Sequence, residues 1–301
     1  MLRAVRSVLA QTCSDFDVWV IDDGSDGTEQ LLANLDPRVR YLRGTGGGVA
    51  AARNAGIDNS TGRFVAFLDA DDWWYPRKLE RTLDAIRLHP EGGLFYSRLD
   101  YVDGDGARLW TPQVRDVNGD GYIAVLESNF IANSTVAVGR ACVTAVGGFD
   151  TSLSGCEDWD LWIRVARKYP IHLVPEVLAA YEYLSEGSIT LRYGAWVKAI
   201  DAVLSNAFQA DSQLSARVKR RVCSGVACSK GRICLGGRDD RLALKEFKKA
   251  LCLRPANWRS LVYMIVLLVP LLRKLLPHRA KAALRLPEVR GDAAWSPHLV
   301  E

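Results

Sequence analysis

The segment FVAFLDADDWWYP, residues 64–76, places three carboxylates, Asp69, Asp71 and Asp72, within four positions directly after an apolar run. Two carboxylates about 5 Å apart repel by roughly 3 kcal/mol at an effective dielectric near 20, so three on one short turn need compensation. Solvent can supply it, or a cation can. The same residues also have a purely structural use, because Asp before a helix accepts hydrogen bonds from free amides and favours the helix dipole. Phe64 to Leu68 reads as an inner strand, with Thr61 and Gly62 before it and Pro76 beyond it. Inner strands of this kind usually belong to parallel sheets, whose ligands gather at the carboxyl ends of the strands.

Two other groups of polar residues stand at comparable places. FDVWVIDDGSDGT (16–28) reads as a strand ending in Asp22 and Asp23, then a Gly/Ser/Asp turn and a helix over about Thr28 to Leu35 with Thr28 as its cap. GCEDWDLWIRVARKY (155–169) opens an amphipathic helix whose apolar side holds Leu161, Trp162, Val165 and Ala166, with Glu157 and Asp158 in its first turn. Acids there can cap the helix or accept a proton from a substrate. Trp73, Trp74, Trp159 and Trp162 are candidates to line a cleft, with burial in the core expected for at least two of them.

The elements around these groups alternate. Leu2 to Leu9 has helical spacing, VRYLR (39–43) is a short strand, GTGGG (44–48) a loop, and Val49 to Ile57 a helix that carries Arg53 and Asn54. With the flanking strands this βαβαβ order implies a three-layer α/β/α domain, with its site in the loops after Ile21, Arg43 and Leu68. Residues 92–110 read as a strand and hairpin around DGDG, where Asp103 and Asp105 make a plain turn because the remaining calcium-loop positions do not follow. Residues 132–150 give a strand and a short helix ending at Gly147 and Gly148, and 171–183 returns to strand.

After Ser188 the pattern is helical. ALKEFKKALCLRP (243–255) has features of one tetratricopeptide helix, but a single repeat cannot bury its own face, so a helical hairpin is expected. Leu261 to Leu272 is an uncharged run of twelve residues interrupted by Pro270. Spanning a bilayer takes about 20 residues, so a helix lying in the membrane interface fits better, with RKLLPHRAKAALR (273–285) meeting anionic lipid. The expected divisions are an α/β domain over 1–190, a helical extension over 191–257 and a basic amphipathic membrane-associating tail over 258–301.

The composition fits that division. The chain has 301 residues, 49% hydrophobic and 25% charged, which excludes a disordered or fibrous protein. Residues 1–212 carry 20 Lys and Arg against 29 Asp and Glu, a net −9, whereas 213–301 carry 19 against 6, a net +13. An acidic body and a basic tail point to a polyanionic surface for the tail. The tail's basic residues have aliphatic rather than aromatic neighbours, so nucleic acid is not the expected partner. Seven scattered cysteines without a CxxC pair argue against a zinc or disulfide framework and for a reducing compartment. Met1 to Gln11 lacks an apolar core of signal-peptide length, so the expected location is cytoplasmic, peripheral at the inner face of the membrane.

Taken together, SVLAQTCSDFDVWVIDDGSDGT, GGGVAAARNAGI, FVAFLDADDWWYP and GCEDWDLWIRVA resemble, in order and spacing, the family 2 glycosyltransferases of GT-A fold over about residues 1–190. The resemblance implies inverting, metal-dependent transfer of a sugar from a nucleotide diphosphate, most often UDP, to a hydroxyl of a glycan or lipid-linked acceptor in envelope polysaccharide synthesis. It implies that Asp22 and Asp23 hold the nucleoside and that Arg53 and Asn54 lie against the nucleotide. Asp69 and Asp71, with Asp72 beside them, would meet Mg²⁺ or Mn²⁺ and the diphosphate. Asp158 would be the general base and Glu157 its neighbour toward the acceptor. The family normally begins with an apolar strand before the helix that here begins at Met1, so the expectation is that the natural start lies upstream and that two strand edges stand exposed. Two alternatives compete. GTGGGV suggests a dinucleotide-dependent oxidoreductase, but Val49 stands where the last glycine of G-x-G-x-x-G belongs. The other is a non-catalytic membrane-associated relative.

Overall fold

The computed structural model describes residues 1–24, 27–183, 193–236 and 239–268. They fall into two compact units, the first built from Met1–Tyr122 and Ile131–Tyr183, the second from Ile123–Phe130 and the residues after 183. The second unit therefore takes in a short stretch, 123–130, that the sequence pattern assigns to the α/β part.

The first unit opens with α1 (Leu2–Leu9), which buries Ala4, Val5 and Val8 on one side. β1 (Val18–Asp22) and β2 (Val39–Arg43) pair in parallel, joined by α2 (Thr28–Leu32), and α3 (Gly48–Asn59) packs on β1. Thr28 is not the cap of α2. Gly27 holds that place with φ of 80°, and Thr28 is the first helical residue. A left-handed backbone there suits glycine, which has no Cβ to clash.

The remaining strands form a separate mixed sheet in the order β3 (Phe64–Ala66), β8 (Ala137–Gly139), β5 (Leu94–Val102), β9 (Ile171–Glu182), β4 (Trp73–Trp74). β6 (Arg108–Trp110) pairs with β5 and β7 (Asn118–Gly119) with β9. Its centre is the long parallel pair β5 and β9, and Leu94, Phe95, Tyr96, Ile171, Leu161 and Trp162 are fully buried around it. α4 (Lys78–Leu88) packs on β5 and β9, and α6 (Arg140–Ala145) on β8 and on α7 (Glu157–Ala166).

β3 departs from expectation. It pairs only with β8, antiparallel, and all three of its residues are half-buried, so it ends the sheet instead of lying inside it. A short apolar run signals a strand but not its neighbours, and the antiparallel partner lies some seventy positions downstream. β1 likewise pairs on one side alone, so each of the two sheets ends in a strand with an unpaired edge among the described residues. The DGDG turn is as expected: Asp103 Oδ1 accepts the amides of Asp105 and Ala107.

The second unit contains α5 (Tyr122–Glu127) for most of its length, α8 (Tyr193–Ala210), α9 (Ala216–Gly236), α10 (Asp240–Leu253) and α11 (Trp258–Leu268). α9 and α10 form the expected hairpin. Its core is Phe247 stacked on Tyr263 at 5.1 Å, with Cys234, Leu235, Ala243 and Ala250 around them. α11 packs into this helical core through Tyr263 and Val266. Its other face leaves Trp258, Leu261, Ile265 and Leu268 exposed at helical spacing. No helix among the described residues is long and apolar enough to cross a membrane. Pro270, the basic segment 273–285 and the rest of the tail lie outside the described residues.

Candidate active site

Three elements bring the acids together. The first is the turn after β3. Asp72 is fully buried, with Oδ2 accepting from Ser134 Oγ and Oδ1 from the Glu182 amide at 3.1 Å. Burial first, then the charges of Asp69 and Asp71, push its carboxyl well above the usual range. Asp72 therefore shapes the turn from behind. Asp69 stands forward and half-buried: its Oδ1 accepts from Arg53 at 2.8 Å and from Asn133 Nδ2 at 2.9 Å, and its amide donates to Ser134 Oγ at 3.1 Å. Asp71, also half-buried, presents its carbonyl to Arg3 at 2.9 Å.

Arg3 in turn pairs with Glu182 and lies over the Trp73 ring, 3.9 Å from its centroid. Its guanidinium thus sits at the mouth of the acid turn. Trp74, Trp159 and Trp162 are buried and belong to the core; Trp73 is the half-exposed one. Trp74 Nε1 donates to the Ser134 carbonyl at 2.7 Å, so the Asn133–Thr135 turn is fixed from both sides.

The second element is α3. Arg53 reaches across with one guanidinium nitrogen 2.8 Å from Asp69 and another 2.7 Å from Glu157, its Cζ 5.3 Å from the Phe149 ring centroid. Burial works against its charge, but Asp69 and Glu157 outweigh it and its pKa is raised. Asn54 has a different task. Its Oδ1 accepts the Phe149 amide and its Nδ2 donates to the Phe149 carbonyl, both at 2.8 Å, clamping α3 to the chain that leads into α7.

The third element is the start of α7, where Cys156 takes φ of 58° and turns the chain into the helix. Glu157 and Asp158 are both buried. Burial and the neighbouring Asp158 raise the Glu157 pKa, and Arg53 opposes them. Asp158 Oδ1 accepts the Trp159 amide at 2.6 Å. Arg53 is thus the bridge that brings the β3 turn and the α7 N-terminus into one site.

At the end of β1, Asp23 anchors the glycine-rich loop, Oδ1 accepting the Gly46 amide at 2.8 Å and Oδ2 the Gly48 amide at 2.6 Å. Asp22 is buried and accepts from Tyr41 Oη at 3.1 Å and Gly24 N at 3.3 Å, with Arg43 3.9 Å away. Gly44 is obligatory for this packing, because a Cβ there would lie 2.6 Å from Asp23 Oδ1 and 3.0 Å from Asp23 Cα. Arg3, Asn133, Ser134 and Glu182 were not foreseen as site residues. Their side chains carry no local signal, since each meets the acid turn from more than sixty positions away.

A mixed α/β core with an acid cluster ending one strand, an arginine spanning to a second acid pair and a loop-held carboxylate defines a GT-A-type glycosyltransferase fold. Residues 1–140 match the family described as Glycosyl transferase family 2. The chain is 27–30% identical to five uncharacterized glycosyltransferases of Rickettsia species and spans 28% to 58% of their length. The amylovoran biosynthesis glycosyltransferase AmsB of Erwinia amylovora is 32% identical over 191 residues, 58% of this chain and 62% of that one. Among solved structures, S. aureus TarS 1–349 in complex with UDP-GlcNAc gives a TM-score of 0.55 at 15% identity, covering 88% of this chain and 86% of that one. The mannosyltransferase PcManGT from Pyrobaculum calidifontis, in complex with GDP-Man and Mn²⁺, gives 0.61 at 15% identity over 94% and 78%. Likeness at this identity shows the fold.

Proposed function

We propose that the chain transfers a glycosyl group, with inversion, from a nucleotide-diphosphate sugar to a hydroxyl of a glycan or lipid-linked acceptor. The observation that carries this reading is the Arg53 bridge, which joins the acid turn (Asp69) and the α7 acids (Glu157) in one site. The nucleotide sugars in the TarS and PcManGT complexes support the donor class, and AmsB supports a role in surface polysaccharide synthesis. A UDP-sugar is the first donor to test.

The donor set fits a hard divalent cation. Asp69 and Asp71 offer carboxylate oxygens, the ligand type Mg²⁺ and Mn²⁺ take, and Asp72, its carboxyl raised first by burial and then by these two charges, stands directly behind them. Such an ion, held by Asp69 and Asp71, supplies charge neutralisation for a departing diphosphate. The protein's own parts act around it. Arg53 fixes the Asp69 carboxylate and locks Glu157, so Glu157 positions the helix start while Asp158 takes the proton from the acceptor hydroxyl. Asp22 and Asp23, with the glycine loop, face the nucleoside, and Asn54 keeps α3 in register with the α7 approach. The exposed stripe on α11 supports peripheral membrane contact, and the basic segment beyond it complements anionic lipid.

Calorimetric titration with UDP, GDP and dTDP, each with and without Mn²⁺, tests this. One nucleotide is expected to bind in a metal-dependent way, and Asp71→Asn to weaken it by about tenfold or more, the scale of a lost charge-assisted contact. Binding that ignores both the metal and Asp71 refutes the reading.

A further inference from the structure

A second cluster of ligating side chains lies far from the acid turn. His89 caps the C-terminal end of α4, Glu91 follows on the next turn, and His172 is the second residue of β9. His172 and Glu182 are ten residues apart on β9, which at about 3.3 Å per residue separates the cluster from the Glu182–Asp72 contact by roughly 30 Å. The two sites share no residue.

The ligand atoms are close enough to gather on one ion once the half-exposed His89 ring turns out of its stack on His172, because imidazole lone pairs lie in the ring planes and these two planes are 13° from parallel. One oxygen of Glu91, Oε1, stands 3.6 Å from His89 Nδ1 and 3.4 Å from His172 Nε2. These separations are long for hydrogen bonds. They are close to the spacing of about 3.4 Å between ligand atoms that each lie about 2.1 Å from a tetrahedral centre. All three ligand atoms lie within 4.8 Å of one another, so the remaining His–His gap closes by at most about 1.4 Å.

His172 gives an independent sign. Its ring is 3% exposed, stacked between His89 at 4.0 Å and Phe95 at 5.5 Å, and neither ring nitrogen has a hydrogen-bond partner. A buried imidazole with both nitrogens unsatisfied is unusual, and a metal would satisfy one of them. The turn carrying Glu91 is fixed: Gly92 N donates to His89 O and Gly93 N to Pro170 O, both at 2.9 Å. Gly92 has to be glycine, because a Cβ there would come within 2.5 Å of Phe95 Cζ and 2.9 Å of His172 Cδ2. Glu91 is 56% exposed and His89 35%, so an ion can enter from solvent.

We propose that His89, Glu91 and His172 form a second divalent-cation site of zinc type that pins the end of α4 to the start of β9. Two imidazoles and one carboxylate suit Zn²⁺ better than the all-oxygen set at the acid turn, and water fills the fourth position. The site is independent of the sugar-transfer reading and stands or falls separately from it.

The test uses the full chain carrying Asp71→Asn, so that the acid turn is silenced, titrated with Co²⁺ as a spectroscopic stand-in for Zn²⁺. One equivalent is expected to bind with the visible ligand-field bands of four-coordinate nitrogen and oxygen ligation, and Zn²⁺ to displace it. His89→Ala and Glu91→Gln are each expected to weaken binding by about tenfold or more. Glu91→Gln alters an exposed turn, and circular dichroism confirms that this variant is folded. No binding, binding unchanged in both variants, or a near-ultraviolet thiolate charge-transfer band showing that the ion sits on cysteines would each overturn the proposal.

Discussion

Lys78 lies in the first turn of α4 with no exposed surface, its Nζ donating to the Thr135 carbonyl at 2.6 Å and to Thr82 Oγ1 at 3.3 Å. Burial pushes its pKa down to about 7. In the unfolded chain a lysine titrates near 10.4, so between about pH 7 and about pH 10 the unfolded state holds more protons and stability rises with pH. With those two pKa values, linkage gives a gain of about 2.5 kcal/mol between about pH 6 and about pH 9 from this one group. Lys78→Met keeps the methylenes and removes the titration. The difference in unfolding free energy between the variant and the parent is therefore expected to shift by about 2.5 kcal/mol in the parent's favour across that range. Other groups, including the buried thiols that titrate there, cancel in the difference. Urea unfolding followed by circular dichroism at a series of pH values measures it. A difference flat to within about 0.5 kcal/mol would show that Lys78 is solvated or paired with an acid when folded, and would refute the reasoning. The consequence reaches the site, because Thr135 closes the turn whose Asn133 and Ser134 hold Asp69 and Asp72.

Further outcomes follow from the same geometry. Arg53→Met leaves Asp69 and Glu157 without their shared cation, with an expected loss of about 3 kcal/mol in urea unfolding; a loss under about 1 kcal/mol would mean the bridge is solvated. Glu157 is raised when folded, so its contribution to stability falls as pH rises from the unfolded carboxylate value to the folded one. Removing Arg53 widens that interval, seen as a steeper decline above about pH 4. Gly44→Ala drives a Cβ against Asp23 and is expected to cost about 1–3 kcal/mol and to weaken nucleotide binding. Gly104→Ala, in open space, changes neither. Asn54→Ala strips both partners from the Phe149 backbone and is expected to lower the unfolding midpoint by the equivalent of about 2 kcal/mol.

What could be read from the chain was what local pattern carries. Apolar runs ending in acids gave β1 and β3, the 3.6-residue spacing gave α3 and α7, and DGDG gave a turn held by its own Asp103. Partners across the fold were not readable. Arg53 stands out within its motif, but that it grips Asp69 and, 104 positions away, Glu157 at once depends on how the fold brings their elements together. Asn54 lay in the right motif, yet its amide is spent on Phe149, 95 positions away, and nothing in an Asn's neighbours announces that. β3 shows the same limit for strands, since its composition does not reveal whether one side or both are paired. His89, Glu91 and His172 mark its extreme. The first two lie within one turn, but the third comes from a strand more than eighty positions later, and no spacing rule for metal ligands joins such a set. A ligand site made by sheet topology is visible only once β5 and β9 stand side by side, with His172 opposite Phe95 and against the turn that follows α4.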